Sequence, residues 1–457
     1  MEVLALGQGL RHLPPTISSN IFPLIKMKKA YAVLLLVIIS TGIFSYFYFF
    51  ESGSIPEIPI QPPEFPQPPP STNPLPELQF AVTGAEARRN GWQVRKYNEL
   101  TQEYTGEQSP DLIFCVNTYI LTGNKTHLEL AIGTAENLDW TAFTSCSCLV
   151  ALLNLYKITG KFKDKCIKVT DWIIQRTPYK DISRTSSTIQ ALSYSYYVLG
   201  YEPAKAKARK IIDEWPRSSS TGMIYRYYDR SADYLKEDED YGLWMIALFT
   251  YWKLTGDDSI ASFIHDQALK GCQYFWDSAH QRFNYRIIVE TGQLSWNIAV
   301  HGFGIIDTAM FWAYSEFGDE ILKDRALKDL ETNVIKGEML SNLNLIYHGT
   351  GGSPNDSSLP WNVWSVLALN YAYTLTGDIR YKQKAEAIYQ AHLKYHKAKY
   401  GYVHGVDADK GTIRTDYSYY PKDASINLIF LFCAYMKETT PDFDGLQYCI
   451  PRLGAKL

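Results

Sequence analysis

The sequence predicts an all-α fold in which helical hairpins close into an (α/α)6 or (α/α)7 toroid. Two observations lead to this prediction. A phrase recurs along the chain, consisting of an apolar helix, then Leu-Thr-Gly or a relative, then a polar helix, and its clearest copies begin at Ala247 and Ala368. The first helix of each copy is apolar nearly all round, which predicts burial on every side, whereas the second is amphipathic. Each copy therefore reads as an inner helix followed by an outer helix.

A glycine ends the first helix of each copy, because glycine adopts the left-handed conformation that stops a helix. Asp257 and Asp378 follow two of these glycines and are suited to start the next helix. Weaker copies begin at Val116, Ala151, Ala191 and Phe311, and the six glycines are Gly123, Gly160, Gly200, Gly256, Gly318 and Gly377.

The spacing of these glycines, from 37 to 62 residues, is too irregular for an open solenoid with a strict period. The longer gaps add irregular segments after the outer helix, and closure into a ring fits this pattern better. A first helix near 92–104 and a last apolar helix at 424–436 provide material for six or seven hairpins. The alternative is an open superhelix of helical pairs.

One transmembrane helix is predicted at residues 30–50, which form an uncharged run long enough to span about 30 Å of hydrocarbon. Three lysines lie within residues 26–29, and the next basic residue is Arg88. The positive-inside rule therefore places residues 1–29 in the cytoplasm and the main domain on the outer face of a cell membrane. The alternatives are a cleaved signal peptide and a start of translation at Met27.

Residues 51–79 are rich in proline, which favours an extended polyproline II spacer between the membrane and the domain at residues 80–457. Two Asn-x-Ser/Thr triplets, at Asn124 and Asn355, are compatible with an exported surface. Export also permits a disulfide, and Cys433 with Cys449 is the pair to test among the seven cysteines. The other cysteines are predicted to be mostly buried thiols.

Charge and motifs exclude several classes of function. The formal net charge is -3, and no basic tract of the kind that follows a phosphate backbone lies outside the anchor flank, so nucleic acid is not a predicted partner. The sequence has no phosphate-binding glycine loop, zinc signature, EF-hand loop or nucleophile elbow. Redox, kinase and serine-hydrolase functions are therefore unsupported, and no cofactor or metal is predicted.

Inner helices of a closed ring run parallel, so the segments that precede them gather at one end, which we call the mouth. In this sequence those segments combine Trp and Tyr with carboxylates, Asn and Arg. Sugar rings present C–H faces to aromatic rings and hydroxyls to planar polar groups, so this mixture predicts a glycan or polysaccharide site. The opposing interpretation is packing, because the chain contains 34 tyrosines and acidic residues before a helix are favoured by capping alone.

Three groups of residues are candidates for catalysis. Crowding of Asp238, Glu239 and Asp240 before an inner helix predicts a raised pKa for one of these carboxyl groups. His301 precedes two glycines that leave room for a ligand. Tyr419 and Tyr420 form the third group, because a tyrosine hydroxyl can exchange a proton. The predicted catalytic residues are Glu239, Asp240, His301, Tyr419 and Tyr420. The predicted substrate-binding residues are Arg184, Arg226, Tyr241, Trp296, Asn297, Trp361, Asn362 and Tyr417.

The hairpins between about residues 110 and 437 resemble the catalytic toroids of carbohydrate-active enzymes, and most closely the C-terminal domain of glucuronyl 5-epimerases. The resemblance is carried by the hairpin phrase at 247–257, by His301-Gly302-Phe303, which is similar to an Asn-Gly-Phe in that family, and by Tyr419-Tyr420-Pro421. Those epimerases also have one N-terminal membrane helix. The chain departs from them in having histidine at 301 and in lacking both a preceding Glu-Glu-Tyr-Pro and the β-rich region of the animal enzymes.

The resemblance implies proton abstraction next to a uronate carboxylate. Tyr419 or Tyr420 and Glu239 would be the exchanging groups, with Arg184 or Arg226 holding the carboxylate. Unsaturated-uronide hydrolases and polysaccharide lyases share the toroid and are the alternative relatives. The leading hypothesis is thus a membrane-anchored, extracytoplasmic enzyme of the uronate epimerase, lyase or glycoside hydrolase type.

Two further hypotheses come from other functional classes. A non-catalytic glycan-binding or surface-assembly protein would keep the toroid as a scaffold and would have no paired carboxylates facing the cavity. A terpenoid or prenyl-group enzyme would need an aspartate-rich metal motif, and runs of the form Asp-x-Asp-x-Asp are absent from the sequence.

Overall fold

The computed structural model describes residues 76–98, 100–110, 112–138, 146–176, 180–295, 304–347, 356–403 and 405–414. The predicted transmembrane helix, most of the predicted linker, the predicted last helix and the Cys433–Cys449 pair lie outside these residues. Within the described ranges, no helix combines the length and the hydrophobicity needed to cross a membrane.

The described chain begins with helix α1 (Pro76–Ala87), which overlaps the predicted linker by four residues. The linker boundary at residue 79 is therefore corrected to residue 75. The physical reason is that proline is well tolerated at the first position of a helix, where its missing N–H has no partner to lose and its φ is already helical.

An antiparallel sheet of β1 (Arg89–Asn90), β2 (Gln93–Asn98) and β3 (Glu103–Pro110) follows α1. The helix predicted at 92–104 is therefore wrong. The Asn98 side chain accepts the backbone N–H groups of Leu100 and Thr101 at 3.0 and 3.2 Å, and Gln102 has a φ of 59°. This local turn reverses the chain where a helix would have continued.

Six helical hairpins follow within the described residues, and each inner helix packs against its own outer helix and against the next inner helix. The inner helices are α2 (Leu112–Thr122), α4 (Cys146–Thr159), α6 (Ile182–Leu199), α8 (Leu243–Thr255), α10 (Ile305–Phe317) and α12 (Leu359–Thr376). The outer helices are α3 (Lys125–Asn137), α5 (Lys163–Arg176), α7 (Glu202–Glu214), α9 (Ala261–Phe275), α11 (Glu320–Leu330) and α13 (Ile379–Tyr395). The predicted all-α toroid architecture is confirmed.

Burial separates the two kinds of helix as the sequence pattern predicts. In α8, every residue from 243 to 251 is buried, including Trp244 and Phe249. In α7 the buried residues are Ala204, Ala208 and Ile212, which lie on one face at intervals of four. An inner helix thus contributes to the core on all sides, whereas an outer helix covers it with a single stripe.

The six glycines end the six inner helices as predicted, with φ values from 63° to 78°. Each donates its N–H to the carbonyl four residues earlier, at 2.7–2.9 Å. In three hairpins the next helix starts at a capping side chain: Asn124, Asp257 and Asp378 each accept a backbone N–H two residues ahead. An αL glycine therefore reverses the chain in each hairpin, and a side-chain cap adds to it in these three.

The two ends of the described helical array contact each other. A side chain at Gly84 in α1 would overlap the backbone of Tyr400, which follows α13. The rings of Phe80 and Tyr402 also meet edge to face, with centroids 5.9 Å apart. This contact between the first helix and the segment after the last outer helix favours a closed ring over an open superhelix.

Short strands stabilise the long segments at the mouth. They are β4 (Tyr234–Lys236), β5 (Trp276–Asp277), β6 (Arg282–Phe283), β7 (Arg286–Ile288), β8 (Asp356–Ser358), β9 (Lys397–Ala398), β10 (Gly401–Tyr402) and β11 (Gly405–Asp407), which we call the collar. β4 pairs with β7, and β8 pairs with β11, so each pair joins two successive segments. A bridge between Asp181 and Tyr227 does the same. Hydrogen bonds between main chains therefore hold neighbouring segments at the mouth together.

Replacing a hairpin glycine should destabilise the domain through backbone strain alone. Nothing lies within 4 Å of a Cβ built at Gly256, but its φ of 63° costs other residues about 1–2 kcal/mol. We expect Gly256→Ala to lower the free energy of unfolding in urea by that amount. The matched control is Gly133→Ala within α3, which has equal space and should stabilise the domain by up to about 1 kcal/mol. Equal effects of the two substitutions would contradict this account.

Candidate functional site

Arg226 joins three elements at the mouth. Its backbone carbonyl accepts the N–H of Ile182 at the start of α6, at 3.0 Å. Its guanidinium donates to the hydroxyl of Tyr234 in β4 at 2.6 Å and lies 3.6 Å from the carboxylate of Asp240. The side chain remains 17% exposed. Arg226 is therefore held in one position by its neighbours while its side chain stays partly exposed.

Asp240 belongs to a π-helical turn, Glu237–Gly242, that leads directly into α8. Turns of this kind are rare and occur often at functional sites. The Asp240 carboxylate is buried, accepts the backbone N–H of Lys236 at 3.0 Å and contacts Arg226. The Asp240 carboxylate therefore contacts protein groups, among them the guanidinium of Arg226.

A second arginine, Arg286, also lies against the ring of Tyr234. β4 and β7 alternate, with Leu235 and Ile287 buried on one face and Tyr234 and Arg286 partly exposed on the other. The guanidinium carbon of Arg286 lies 4.6 Å from the centroid of the Tyr234 ring, and that of Arg226 lies 5.1 Å away. We call Arg226, Tyr234 and Arg286 the arginine–tyrosine cluster.

The arginine–tyrosine cluster combines two properties that suit an acidic sugar. A guanidinium offers a rigid fork of N–H donors that matches a carboxylate, and a tyrosine ring packs against C–H groups. Lys236 adds a third cation on the same ribbon, with its ammonium 5.4 Å from the ring of Tyr285. The exposed face of this strand pair is therefore positive and aromatic.

Four carboxyl groups, Glu237, Asp238, Asp307 and Asp329, lie behind the mouth at exposures of 3% or less, and we call them the buried acidic cluster. Asp307 caps α10 by accepting the N–H of Gly304 at 3.1 Å. Asp329 in α11 accepts the N–H of Phe283 at 2.6 Å. The side chains of Asp307 and Asp329 also hydrogen-bond to each other. The cluster thus connects an inner helix, an outer helix and the collar.

Burial shifts the pKa of these groups upward. Burial raises the pKa of Asp329 to about 7, against the hydrogen bond from Phe283 that lowers it. Burial, followed by the charge of Asp329, raises the pKa of Asp307 well above its ordinary value. Burial, followed by the charge of Asp238, does the same for Glu237. Carboxyl groups in this cluster therefore hold protons near neutral pH, which lets them donate hydrogen bonds to one another.

Several inner helices also begin with a buried polar side chain that has no hydrogen-bond partner in the described part of the chain. These side chains are Ser186 in α6, Trp244 in α8, Thr308 in α10 and Ser358 just before α12. Buried polar atoms in folded proteins are nearly always bonded to protein, water or ligand. The mouth is therefore rich in polar groups with unused hydrogen-bonding capacity.

Of the predicted site residues, the structure brings Arg226 and Asp240 together. Arg184 lies at the start of α6 with its side chain 76% exposed, where it pairs with Asp181 at 3.6 Å. It is at the same end of the ring as Arg226 but has a different partner.

The structure corrects two predicted substrate-binding residues. Tyr241 is fully buried, its ring packs on Gly271 of outer helix α9, and its hydroxyl donates to the carbonyl of Gln267. Asn362 is buried and donates its amide to Ser357 at 3.1 Å and to His392 at 2.5 Å. Both residues therefore join helices of the core, because their side chains point toward an outer helix.

Other predicted residues are not described. Glu239 and Trp361 lie in helical segments, but their side chains are outside the described part. The remaining predicted residues lie outside it altogether, and they are Trp296, Asn297, His301, Tyr417, Tyr419 and Tyr420.

Sequence reasoning missed Tyr234, Arg286, Asp307 and Asp329. Alternation around Leu235 and Ile287 was a signal for two strands with Tyr234 and Arg286 on one face. Asp307, three residues after Gly304, carried a weak signal for a helix cap. Asp329 carried none, because it lies in a charged outer helix whose acidic residues are expected to face water.

The buried acidic cluster should make stability depend on pH. The folded pKa of about 7 for Asp329 exceeds the value of about 4 in an unfolded chain, so its stabilising contribution is complete below about pH 4 and is lost as pH rises through 7. His127 and His392 act in the opposite sense between about pH 4 and 6.5, because burial lowers their pKa to about 4. Above about pH 6.5 these two histidines no longer contribute, and comparison of a variant with the wild type cancels the contribution of Lys157, whose pKa burial lowers to about 8.

We expect Asp307→Asn to gain melting temperature relative to the wild type as pH rises from about 6.5 to 8. Folding of the wild type keeps a proton on Asp307 that the unfolded chain loses, a cost that grows with pH and that a neutral amide does not have. Differential scanning calorimetry across this range measures the effect. Asp324→Asn, an exposed position on the same helix as Asp329, should follow the wild-type profile. If the difference in melting temperature between Asp307→Asn and the wild type stayed constant with pH, the raised pKa of Asp307 would be ruled out.

No protein-family model and no curated protein matches the sequence. Solved structures match the fold. A sugar epimerase from a ruminal bacterium has a TM-score of 0.52 and 14% identity, over 76% of this chain and 95% of that one. A cellobiose 2-epimerase from Bacillus thermoamylovorans has a TM-score of 0.53 and 11% identity, over 77% and 98% of the two chains. An unsaturated glucuronyl hydrolase specific for heparin has a TM-score of 0.52 and 11% identity, over 79% of this chain and 96% of that one. The chain thus shares the (α/α) toroid fold of carbohydrate-active enzymes.

Proposed function

We propose that this protein is an enzyme that acts on a glycan carrying carboxylate groups, and that Arg226 binds one of those carboxylates. The observation that carries the proposal is the arginine–tyrosine cluster at the mouth. Two guanidinium groups lie within about 5 Å of the centroid of the Tyr234 ring, which is on a partly exposed strand face. Such a surface binds an anionic group through paired N–H donors and a sugar ring through aromatic contact.

The fold supports a sugar substrate by analogy. Structures that share it are described as a sugar epimerase, an unsaturated glucuronyl hydrolase and a D-mannose isomerase. Fold alone does not fix function, so the specific assignment depends on the site. Within this group we propose a uronate epimerase, similar to the C-terminal domain of glucuronyl 5-epimerases, with lyase and glycoside hydrolase activities as the neighbouring possibilities.

The proposed reaction removes the proton from the ring carbon that bears the carboxylate. Negative charge then spreads onto the carboxylate, where the guanidinium of Arg226 stabilises it. Asp240 positions Arg226 through the contact at 3.6 Å, and Tyr234 restrains it through the hydrogen bond at 2.6 Å. Return of a proton to the opposite face of the same carbon completes epimerisation without a change in the number of atoms.

Glu239 and one of Tyr419 and Tyr420 are the proposed proton-exchanging groups. Glu239 follows the buried Glu237 and Asp238 in the π-helical turn and precedes Asp240, so its backbone lies beside the cluster that binds the carboxylate. A base and an acid on opposite faces of the ring are what epimerisation requires.

A non-catalytic glycan-binding protein is the second candidate, and one observation favours it. In the part of the chain that the structure describes, Asp240 and Asp307 lie where two inner helices begin, and both carboxyl groups are buried and bonded to protein groups. The arginine–tyrosine cluster would then serve recognition alone.

We also propose that the domain is held outside the cell by the helix at residues 30–50, with residues 1–29 in the cytoplasm and 51–75 as a spacer. The uncharged run and the lysines before it support this orientation. An enzyme for polymeric acidic glycans would meet its substrate on that side.

Turnover should be found with uronate-containing polysaccharides. The purified protein is incubated with these substrates in deuterated water, and products are followed by mass, by absorbance of unsaturated uronides and by release of reducing ends. Deuterium at the carbon next to the carboxylate identifies an epimerase. We expect Glu239→Gln to abolish turnover while binding persists, and Asp240→Asn to raise KM. Binding without turnover in the wild type would favour the second candidate.

Arg226 should matter more than Arg184, although the sequence made them equal candidates. We expect Arg226→Gln to lower kcat/KM by about 10–100-fold, because a hydrogen bond to a charged group contributes about 1.5–3 kcal/mol. Arg184→Gln should change it little, since that side chain is 76% exposed and pairs with Asp181. Equal losses for the two variants, measured on the same acidic substrate, would refute the assigned role of Arg226.

A further inference from the structure

The two Asn-x-Ser/Thr triplets of this chain differ in exposure: residues 124–126 are exposed, whereas Asp356 and Ser357 are buried. The first, Asn124-Lys125-Thr126, lies in the turn between α2 and α3, where residues 123–126 are all exposed. Gly123 reverses the chain with a φ of 66°, and Asn124 follows in an extended conformation. The triplet is therefore at the tip of a hairpin.

Asn124 also forms a local turn with the third residue of its triplet. Its side-chain carbonyl accepts the backbone N–H of Thr126 at 3.0 Å, which caps α3. This turn holds the amide of Asn124 and the side chain of Thr126 on the same surface loop. An enzyme that must recognise both groups at once can reach them in the folded protein.

Two residues of the second triplet, Asp356 and Ser357, lie in strand β8 of the collar. Asp356 is buried and pairs with Arg414 at 2.8 Å. Ser357 is fully buried and accepts the amide of Asn362 at 3.1 Å. Its hydroxyl is thus inaccessible once β8 has paired with β11.

We propose that Asn124 is an N-glycosylation site and that Asn355 stays unmodified in the folded protein. The amide nitrogen of Asn124 displaces the pyrophosphate of a lipid-linked oligosaccharide from its anomeric carbon, forms the N–C bond and gives its proton to the transferase. Such sites require an exported surface. The inference rests on the proposed export of the domain and is independent of its catalytic activity.

The position of Asn124 is compatible with the candidate site. It follows the C-terminal end of inner helix α2, whereas Arg226 and Asp240 lie where inner helices begin. A bulky glycan at Asn124 therefore projects from the end of the ring opposite the mouth. Modification should leave glycan turnover unchanged.

The test uses the full-length chain expressed in cells with a secretory pathway, followed by mass spectrometry of peptides with and without peptide N-glycosidase. We expect one glycan, at Asn124, in the wild type and in Asn355→Gln. The matched variant Asn124→Asp keeps the helix-capping oxygen and removes the acceptor amide, so it should lose the glycan and keep the melting temperature of the unglycosylated wild type. Thr126→Ser should retain the modification.

An engineered glycosylation triplet in the spacer serves as a separate control for export of the domain. Pro70→Asn creates a triplet with Ser71 and Thr72 in the proposed spacer. A modified spacer beside an unmodified Asn124 would overturn the site, and a glycan on Asn355 would overturn the burial argument. Absence of glycan at both Asn124 and the spacer would overturn the export proposal and this one together. None of these results bears on the activity assay, so failure of the site and failure of the proposed function are separable.

Discussion

Each inner helix of the ring ends at a glycine whose φ lies between 63° and 78°, and the rest of the architecture depends on this repeated reversal. The glycine N–H closes a hydrogen bond to the carbonyl four residues back, and the next helix starts within two to five residues. Short turns at one end force inner and outer helices to be antiparallel. All the long segments must therefore lie at the other end, where the inner helices begin, and this is where the arginine–tyrosine cluster is found.

Holding those long segments in place requires more than helix packing. The collar pairs β4 with β7 and β8 with β11, so successive segments share main-chain hydrogen bonds. Arg226 adds side-chain contacts to Tyr234 and Asp240 from a segment that is itself paired with α6. Behind them, the hydrogen-bonded carboxyl groups of Asp307 and Asp329 connect the two helical layers. The site is thus rigid because three kinds of interaction converge on it.

The hairpins could be predicted because their signals are local: a glycine, a capping residue and the apolar pattern occupy adjacent positions. The collar could not, since its strands have two or three residues each, and the two pairs that join successive segments, β4 with β7 and β8 with β11, pair across more than 40 positions. The directions of the site side chains could not be predicted either, because they also depend on contacts between distant parts of the sequence. A sequence places Tyr241 and Asn362 at the mouth, but the face that each presents depends on helix packing. Asp329 could not be predicted as a buried residue, because it lies in an amphipathic outer helix whose other acidic side chains face water.

The central claim is that the mouth binds an acidic sugar through Arg226, and a crystal structure of the protein with a uronate-containing oligosaccharide tests it most directly. The account predicts density for the sugar at the mouth, with a carboxylate within hydrogen-bonding distance of the Arg226 guanidinium and a sugar ring against Tyr234. A ligand bound at the end of the ring where the inner helices terminate, or at the mouth with its carboxylate directed away from Arg226, would contradict the account.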